Sequence, residues 1–263
     1  MKAFNQYLKK RKTTITLLLQ KPPQSFTPDT FHTLRVEIKK LHALFDLVDF
    51  CSNGFKQNKT FKPFKLIFRQ AGKVRELQVE LSLIEKHFFF NLPKDYNTYL
   101  KKELTKELKI YFSIINSKSS PNLKKKYRKI TSFLTNTSKK KTQCYIHKKR
   151  AKIQKFFRQN TLKNKQIHLL RKRLKKLQYS EKILKDNKKN RLFSNKDNLT
   201  DLLGEWHDYE LIINHLKKVI YSGSIHAQET NQLENIKATF KFKRNLLFNK
   251  LNTFLLHNIF KNN

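Results

Sequence analysis

His32-Thr33-Leu34-Arg35-Val36-Glu37-Ile38-Lys39-Lys40-Leu41 returns later in the chain as His168-Leu169-Leu170-Arg171-Lys172-Arg173-Leu174-Lys175-Lys176-Leu177, so H-x-x-R-x-x-x-K-K-L is written twice. On a helix, His32, Arg35, Lys39 and His42 fall within roughly 80° of one another, while Leu34, Ile38, Leu41, Phe45 and Val48 form a separate stripe. One stripe packs. The adjoining one gathers imidazole, guanidinium and ammonium groups.

A second pair of segments follows in the same order. Ala71-Gly72-Lys73-Val74-Arg75-Glu76 and Leu203-Gly204-Glu205-Trp206-His207-Asp208 each place a basic residue three positions after glycine, with an acid beside it. Two ordered matches at nearly equal separation are hard to obtain from a lysine-rich composition alone, so the chain reads as an internal duplication of a multi-helix unit. The polar, small-residue stretch Asn116–Asn122 is the seam, which puts the repeat halves at about 1–118 and 121–263 of a single domain spanning 1–263.

Working outward, Gly 4 and Pro 6 in 263 residues leave little material for hairpins, and apolar residues recur at three and four. That pattern predicts an all-α protein. Helices are expected near 3–20, 28–50, 61–89, 94–116, 121–136, 139–159, 162–187, 196–221 and 226–260. Thr27-Pro28 and Ser120-Pro121 each offer a capping hydroxyl ahead of a proline suited to the first helical position, and Ser194 with Asp197 resembles a capping box. The 22 Phe, including Phe88-Phe89-Phe90 and Phe156-Phe157, are expected to fill helix-packed cores, and Trp206 to pack helices together.

The balance of 58 Lys and Arg against 19 Asp and Glu gives a net charge of +39 at pH 7, which makes a polyanion the default partner. Part of that excess is compositional, so arrangement has to carry the functional argument. Runs such as Lys124–Lys126, Lys139–Lys141 and His147–Arg150 read most simply as solvated faces. Cys51 and Cys144 are too few and too far apart in sequence for a disulfide framework or a cysteine zinc site, which suits a reducing cytoplasm. The basic run Lys9–Lys12 precedes only the short apolar stretch Ile15–Leu19 and no small-residue cleavage site, so a secretory signal is not expected. No stretch approaches the roughly 20 apolar residues of a spanning helix, so membrane insertion is not expected either.

The duplicated motif, with its paired glycine segments, resembles the CHAD family, the conserved-histidine α-helical domain. The resemblance runs over about residues 28–220. It implies two pseudo-twofold-related helical bundles around a basic central cavity or pore, and binding of inorganic polyphosphate. By position, His32, Arg35, Lys39 and Lys40 match the first motif, and His168, Arg171, Lys175 and Lys176 the second. Arg75 and His207 fall where the later helices carry Arg and a polar residue. The expected polyphosphate-binding set is His32, Arg35, Lys39, Lys40, His42, Arg69, Arg75, His168, Arg171, Lys172, Lys175 and Lys176. The family's Arg after the motif leucine is replaced by His42 and Gln178, and the acid after Arg75 is Glu76 rather than Asp. Some family members carry a triphosphate-cleaving domain with an E-x-E-x-K strand. No such triplet occurs here, so the chain resembles the free-standing, non-catalytic form.

The chemistry of the motif suits that ligand. A phosphate chain displays oxygens on all sides, and arginines can fork onto them while lysines act as adaptable point charges and histidines donate when protonated. No cofactor is implied. The Walker pattern, H-E-x-x-H and C-x-x-C are absent, so neither nucleotide hydrolysis nor a metal site is expected. The alternative is a basic helical protein that binds nucleic acid non-specifically, although no zinc-finger spacing or RNP signature supports it. The resemblance and the composition together imply a cytoplasmic location, with polyphosphate granules as a place of association.

Overall fold

The hydroxyl-proline punctuation at Thr27-Pro28 does what its chemistry dictates. Thr27 is extended, its Oγ1 accepts the Thr30 N–H at 3.3 Å, Pro28 occupies the first turn, and Asp29 adds a negative charge beside the positive end of the helix. This is the start of α2 in a computed structural model that describes residues 2–116, 119–135, 137–159, 162–184, 196–223 and 225–260.

Among the described residues there are nine α-helices and no strand: α1 (Lys2–Leu19), α2 (Pro28–Cys51), α3 (Gln57–Phe88), α4 (Lys94–Asn116), α5 (Ser119–Leu134), α6 (Lys139–Phe157), α7 (Asn164–Leu184), α8 (Lys196–Ser222) and α9 (Ala227–Phe260). The expected all-α class holds. Most boundaries agree with the sequence reading within a few residues, but α3 begins earlier and runs through Pro63. Its start is set from outside the local sequence: the Asp49 carboxylate, in the last turn of α2, accepts the Gln57 N–H at 2.8 Å. That satisfies one of the donors a helix start leaves open. Gly54, with φ of 83°, supplies the left-handed residue of the turn between the two helices. The expected capping pair Ser194 and Asp197, and part of the seam at 116–122, lie outside the described residues or side chains. None of the described helices is long and apolar enough to cross a membrane.

The chain forms two compact units. The first comprises Met1–Arg75, Glu107–Ile153 and Arg173–Lys188, and the second Glu76–Lys106, Gln154–Lys172 and Lys189–Asn263. Their boundaries fall inside α3, α4, α6 and α7, so they do not coincide with sequence halves. The second motif is accordingly divided: His168, Arg171 and Lys172 belong to the second unit, and Lys175 and Lys176 to the first.

In the first unit the expected apolar stripe of α2 is fully buried, with Leu34, Ile38, Leu41, Phe45 and Val48 each at most 1% exposed. Each such side chain contributes roughly 1.5–3 kcal/mol of burial. Edge-on aromatic contacts extend the core from Phe45 to Phe61 and Phe64, and from Phe64 to Tyr127. Two carboxylates organise the polar layer around it. Glu37, itself buried, holds Arg11 of α1 at 2.9 Å and Lys40 at 2.7 Å. Asp46 accepts the Tyr145 hydroxyl at 2.6 Å and the Lys149 and Lys176 ammonium groups at 2.8 Å each.

In the second unit Trp206, Tyr96, Leu233, Ile236 and Phe240 are buried, and α8 packs along α9. Buried Glu80 accepts the Tyr96 hydroxyl and pairs with His215 Nδ1, both at 2.6 Å. Burial opposes charge on His215, but the hydrogen bond and charge of Glu80 prevail and raise its pKa. Glu229 of α9 accepts the Asp95 and Tyr96 N–H groups at 3.0 and 2.7 Å, capping α4 from a distance. The Phe88-Phe89-Phe90 run does not fill the core as expected. Phe88 turns onto Phe240, while Phe89 and Phe90 fall in a 3-10 turn after α3 and are 76% and 99% exposed.

Candidate polyanion site

In the first unit the cationic stripe of α2 meets α3 through Phe68. The Arg35 guanidinium lies 4.5 Å from the centre of the Phe68 ring, and its Nη1 donates to the Phe68 carbonyl at 3.1 Å. Lys39 Nζ stands 5.9 Å from the same ring. One aromatic ring thus serves both motif cations, each gaining from the negative charge of its π-faces.

Gly72, one turn beyond Phe68, makes room for this arrangement. A Cβ at that position would come 2.2 Å from Arg35 Nη1. Glycine here answers a need for close approach, not for unusual backbone. In the second unit Gly204 holds the matching place in the sequence, yet a Cβ there would meet nothing within 4 Å.

His32 shares the cationic stripe of α2 and is an exposed residue whose ring is still partly covered. Burial of its ring lowers its pKa first, and Arg75, Lys39 and Arg35 lower it further, opposed only in part by Asp29. The imidazole is therefore uncharged at neutral pH, and three cations bear on one small region. In the second unit His168 and His207 meet edge to face with ring centres 4.9 Å apart. The pKa of His168 is likewise lowered, by burial and then by Lys172 and Arg171. In each unit the basic residue three positions after glycine thus bears on the motif histidine, Arg75 through its charge and His207 through ring contact.

The remaining expected site residues are placed differently. Lys40 is engaged by Glu37 and Lys176 by Asp46. Burial opposes the charge on Asp46, but Lys176, Lys149 and Tyr145 hold its carboxyl well below the usual carboxylate range. His42 is half-buried, its ring tilted against Phe61 with centres 4.4 Å apart, and it is hydrogen-bonded to the Gln57 amide. Burial, then Lys176, lowers its pKa to about 4. Arg69 and Lys172 are exposed, and Arg75, Arg171 and Lys175 are partly buried. Among the described residues, no group of three or more His, Cys, Asp or Glu side chains is placed to hold a metal ion.

Sequence reading did not identify Phe68, Asp46 or Arg11. The spacing of Phe68 and Gly72, one turn apart, is the only local signal for the Arg35 seat. Asp46 is one of few acids in a basic chain, and nothing local marks it until α6 and α7 bring Tyr145, Lys149 and Lys176 to it.

The CHAD domain family model matches residues 17–217 of this chain. Among solved structures, the crystal structure of the CHAD domain from the plant Ricinus communis is similar with a TM-score of 0.73 and 12% sequence identity, over 96% of this chain and 88% of that one. At that identity the likeness is one of fold. Comparison with curated proteins finds no match.

Proposed function

The chain belongs to the CHAD domain family, and on that premise we propose that it binds inorganic polyphosphate and does not hydrolyse it. The observation that carries this reading is the cluster in the first unit, where Arg35 and Lys39 share the Phe68 ring and, with Arg75, add to the burial that lowers the pKa of His32. Two unit charges about 5 Å apart at an effective dielectric near 20 repel by roughly 3 kcal/mol before screening by salt. A chain of phosphates relieves that repulsion at several points together, which a single orthophosphate does not.

The contacts proposed in the first unit are made by His32, Arg35, Lys39, Arg69, Arg75 and Lys175, and in the second by His168, Arg171 and Lys172. Lys40, His42 and Lys176 support α2 through Glu37, Phe61 and Asp46. The non-catalytic part of the reading is supported by Glu37 inside the first motif and Asp46 after it, both of which are spent on buried or half-buried ion pairs. The protein then acts in the cytoplasm, at polyphosphate granules.

Long-chain polyphosphate is expected to raise the melting temperature far more than orthophosphate at equal phosphorus. Arg35→Ala with Arg171→Ala should weaken binding at least tenfold, given about 1.5–3 kcal/mol for a charged hydrogen bond. Lys241→Ala with Lys250→Ala, an equal change of charge at exposed positions of α9, should do much less. Equal losses from the two pairs would mean diffuse electrostatics. The net charge of +39 favours nucleic acid as the competing ligand. Displacement of labelled polyphosphate by duplex DNA, phosphate for phosphate at physiological salt, would replace the polyphosphate reading with that one.

A further inference from the structure

The chain has two cysteines, distant in sequence and in different helices. Cys51 is the last residue of α2 and is buried, whereas Cys144 lies in α6 and is exposed. Both belong to the first unit. Lys141 Nζ donates to the Cys51 carbonyl at 3.0 Å, Lys148 Nζ stands 5.1 Å from the centre of the Phe50 ring, and the Tyr145 ring is 5.4 Å from that of Phe50. On α6, residues 141, 144 and 148 fall on one stripe about 60° wide. Cys144 therefore sits one turn from each of the two lysines that reach Phe50 and the Cys51 carbonyl, on the stripe of α6 that meets the end of α2.

We propose that Cys51 and Cys144 form a reversible disulfide that ties the end of α2 to α6. The oxidant is a low-molecular-weight disulfide. The exposed Cys144 thiolate attacks one sulfur of RSSR, forming a mixed disulfide and releasing one thiolate, which takes up a proton. Cys51 then loses its proton and attacks the Cys144 sulfur, expelling the second thiolate. Two cysteine thiols are oxidised and one RSSR is reduced to two RSH. Burial raises the Cys51 thiol to about 11, so the second attack is the slow one and accelerates with pH. Such a bond is a redox-responsive link and not a permanent brace, which is compatible with a reducing compartment.

The polyphosphate reading is not required for this. The full chain is incubated with oxidised glutathione and its intact mass is measured. The expected product has lost two hydrogens, carries no adduct, yields a proteolytic peptide joining Cys51 to Cys144, and reverts with dithiothreitol. The Cys51→Ala variant should stop at a glutathione adduct on Cys144, and Cys144→Ser should not react while folded. A wild-type protein that also stops at the Cys144 adduct, or that forms chain-to-chain dimers through Cys144 instead, overturns the proposal. The oxidised monomer should also melt higher than the reduced one, and equal melting temperatures would count against a link between the helices.

Discussion

Replacing Gly72 and Gly204 separately with alanine should move stability in opposite directions. In a helix interior, alanine is favoured over glycine by about 1 kcal/mol. At Gly204 nothing lies within 4 Å of the new methyl, so the gain is realised and the melting temperature should rise by about 2–4 °C. At Gly72 the methyl would stand 2.2 Å from Arg35 Nη1. The guanidinium must swing away, giving up a charged hydrogen bond of about 1.5–3 kcal/mol to the Phe68 carbonyl and a ring contact of about 0.5–2 kcal/mol. Arg35 is only partly buried, so the lower ends apply. The net loss, after the helix gain, is about 1 kcal/mol. Thermal unfolding followed by circular dichroism in phosphate-free buffer measures both shifts. A cycle with Arg35→Ala makes the test sharper, because Gly72→Ala should become stabilising once the guanidinium is gone. If Gly72→Ala and Gly204→Ala raise the melting temperature alike, Arg35 is not seated on Gly72. Polyphosphate titration adds an independent readout, with weaker binding for Gly72→Ala and unchanged binding for Gly204→Ala.

Three other outcomes are expected. His42 has a folded pKa of about 4 against about 6.5 unfolded, so the unfolded chain binds the extra proton and stability should fall as pH drops between those values, by up to about 3 kcal/mol; a pH series of melts on His42→Leu should lose that slope. Asp46→Asn breaks the half-buried pairs with Lys149 and Lys176 and should cost about 2–4 kcal/mol, while releasing two ammonium groups that raise polyphosphate affinity; if affinity falls together with stability, Lys176 contributes to binding as it stands. His32 and His168 are neutral at pH 7 with lowered pKa values, and a bound polyanion favours their protonation, so affinity should rise as pH falls from about 8 to about 5. Calorimetry in buffers of different ionisation enthalpy should show proton uptake, and His32→Gln with His168→Gln should abolish it.

Local chemistry was legible wherever a few neighbouring residues determine the outcome. The Thr27-Pro28 start of α2 and its stripe of Leu34, Ile38, Leu41, Phe45 and Val48 follow from capping and from 3.6-residue periodicity alone. The start of α3 does not, because Gln57 is capped by Asp49 from the helix before it, across a turn that sequence patterns do not describe. Motif spacing placed Arg35 and Lys39 on one side of α2, but not the Phe68 ring on which both converge. The functional weight of Lys40 and Lys176 was equally invisible, since a lysine in an ion pair and one facing solvent are the same letter until the partner carboxylate is located. Phe89 and Phe90 show the converse limit: apolar residues imply a core only when the backbone turns them toward one.

The Arg11–Glu37–Lys40 arrangement bears on where this domain begins. The family model starts at residue 17, yet the guanidinium that neutralises a buried carboxylate of the first motif comes from Arg11, upstream of that point. A fragment trimmed to the matched region would leave the buried Glu37 carboxylate without Arg11 and dependent on its 2.7 Å pair with Lys40, beside the residues proposed to take up phosphate. The stretch that looks at first like a dispensable basic leader is thus part of the motif's own electrostatic frame, and the working unit of this protein is longer than the signature by which its family is recognised.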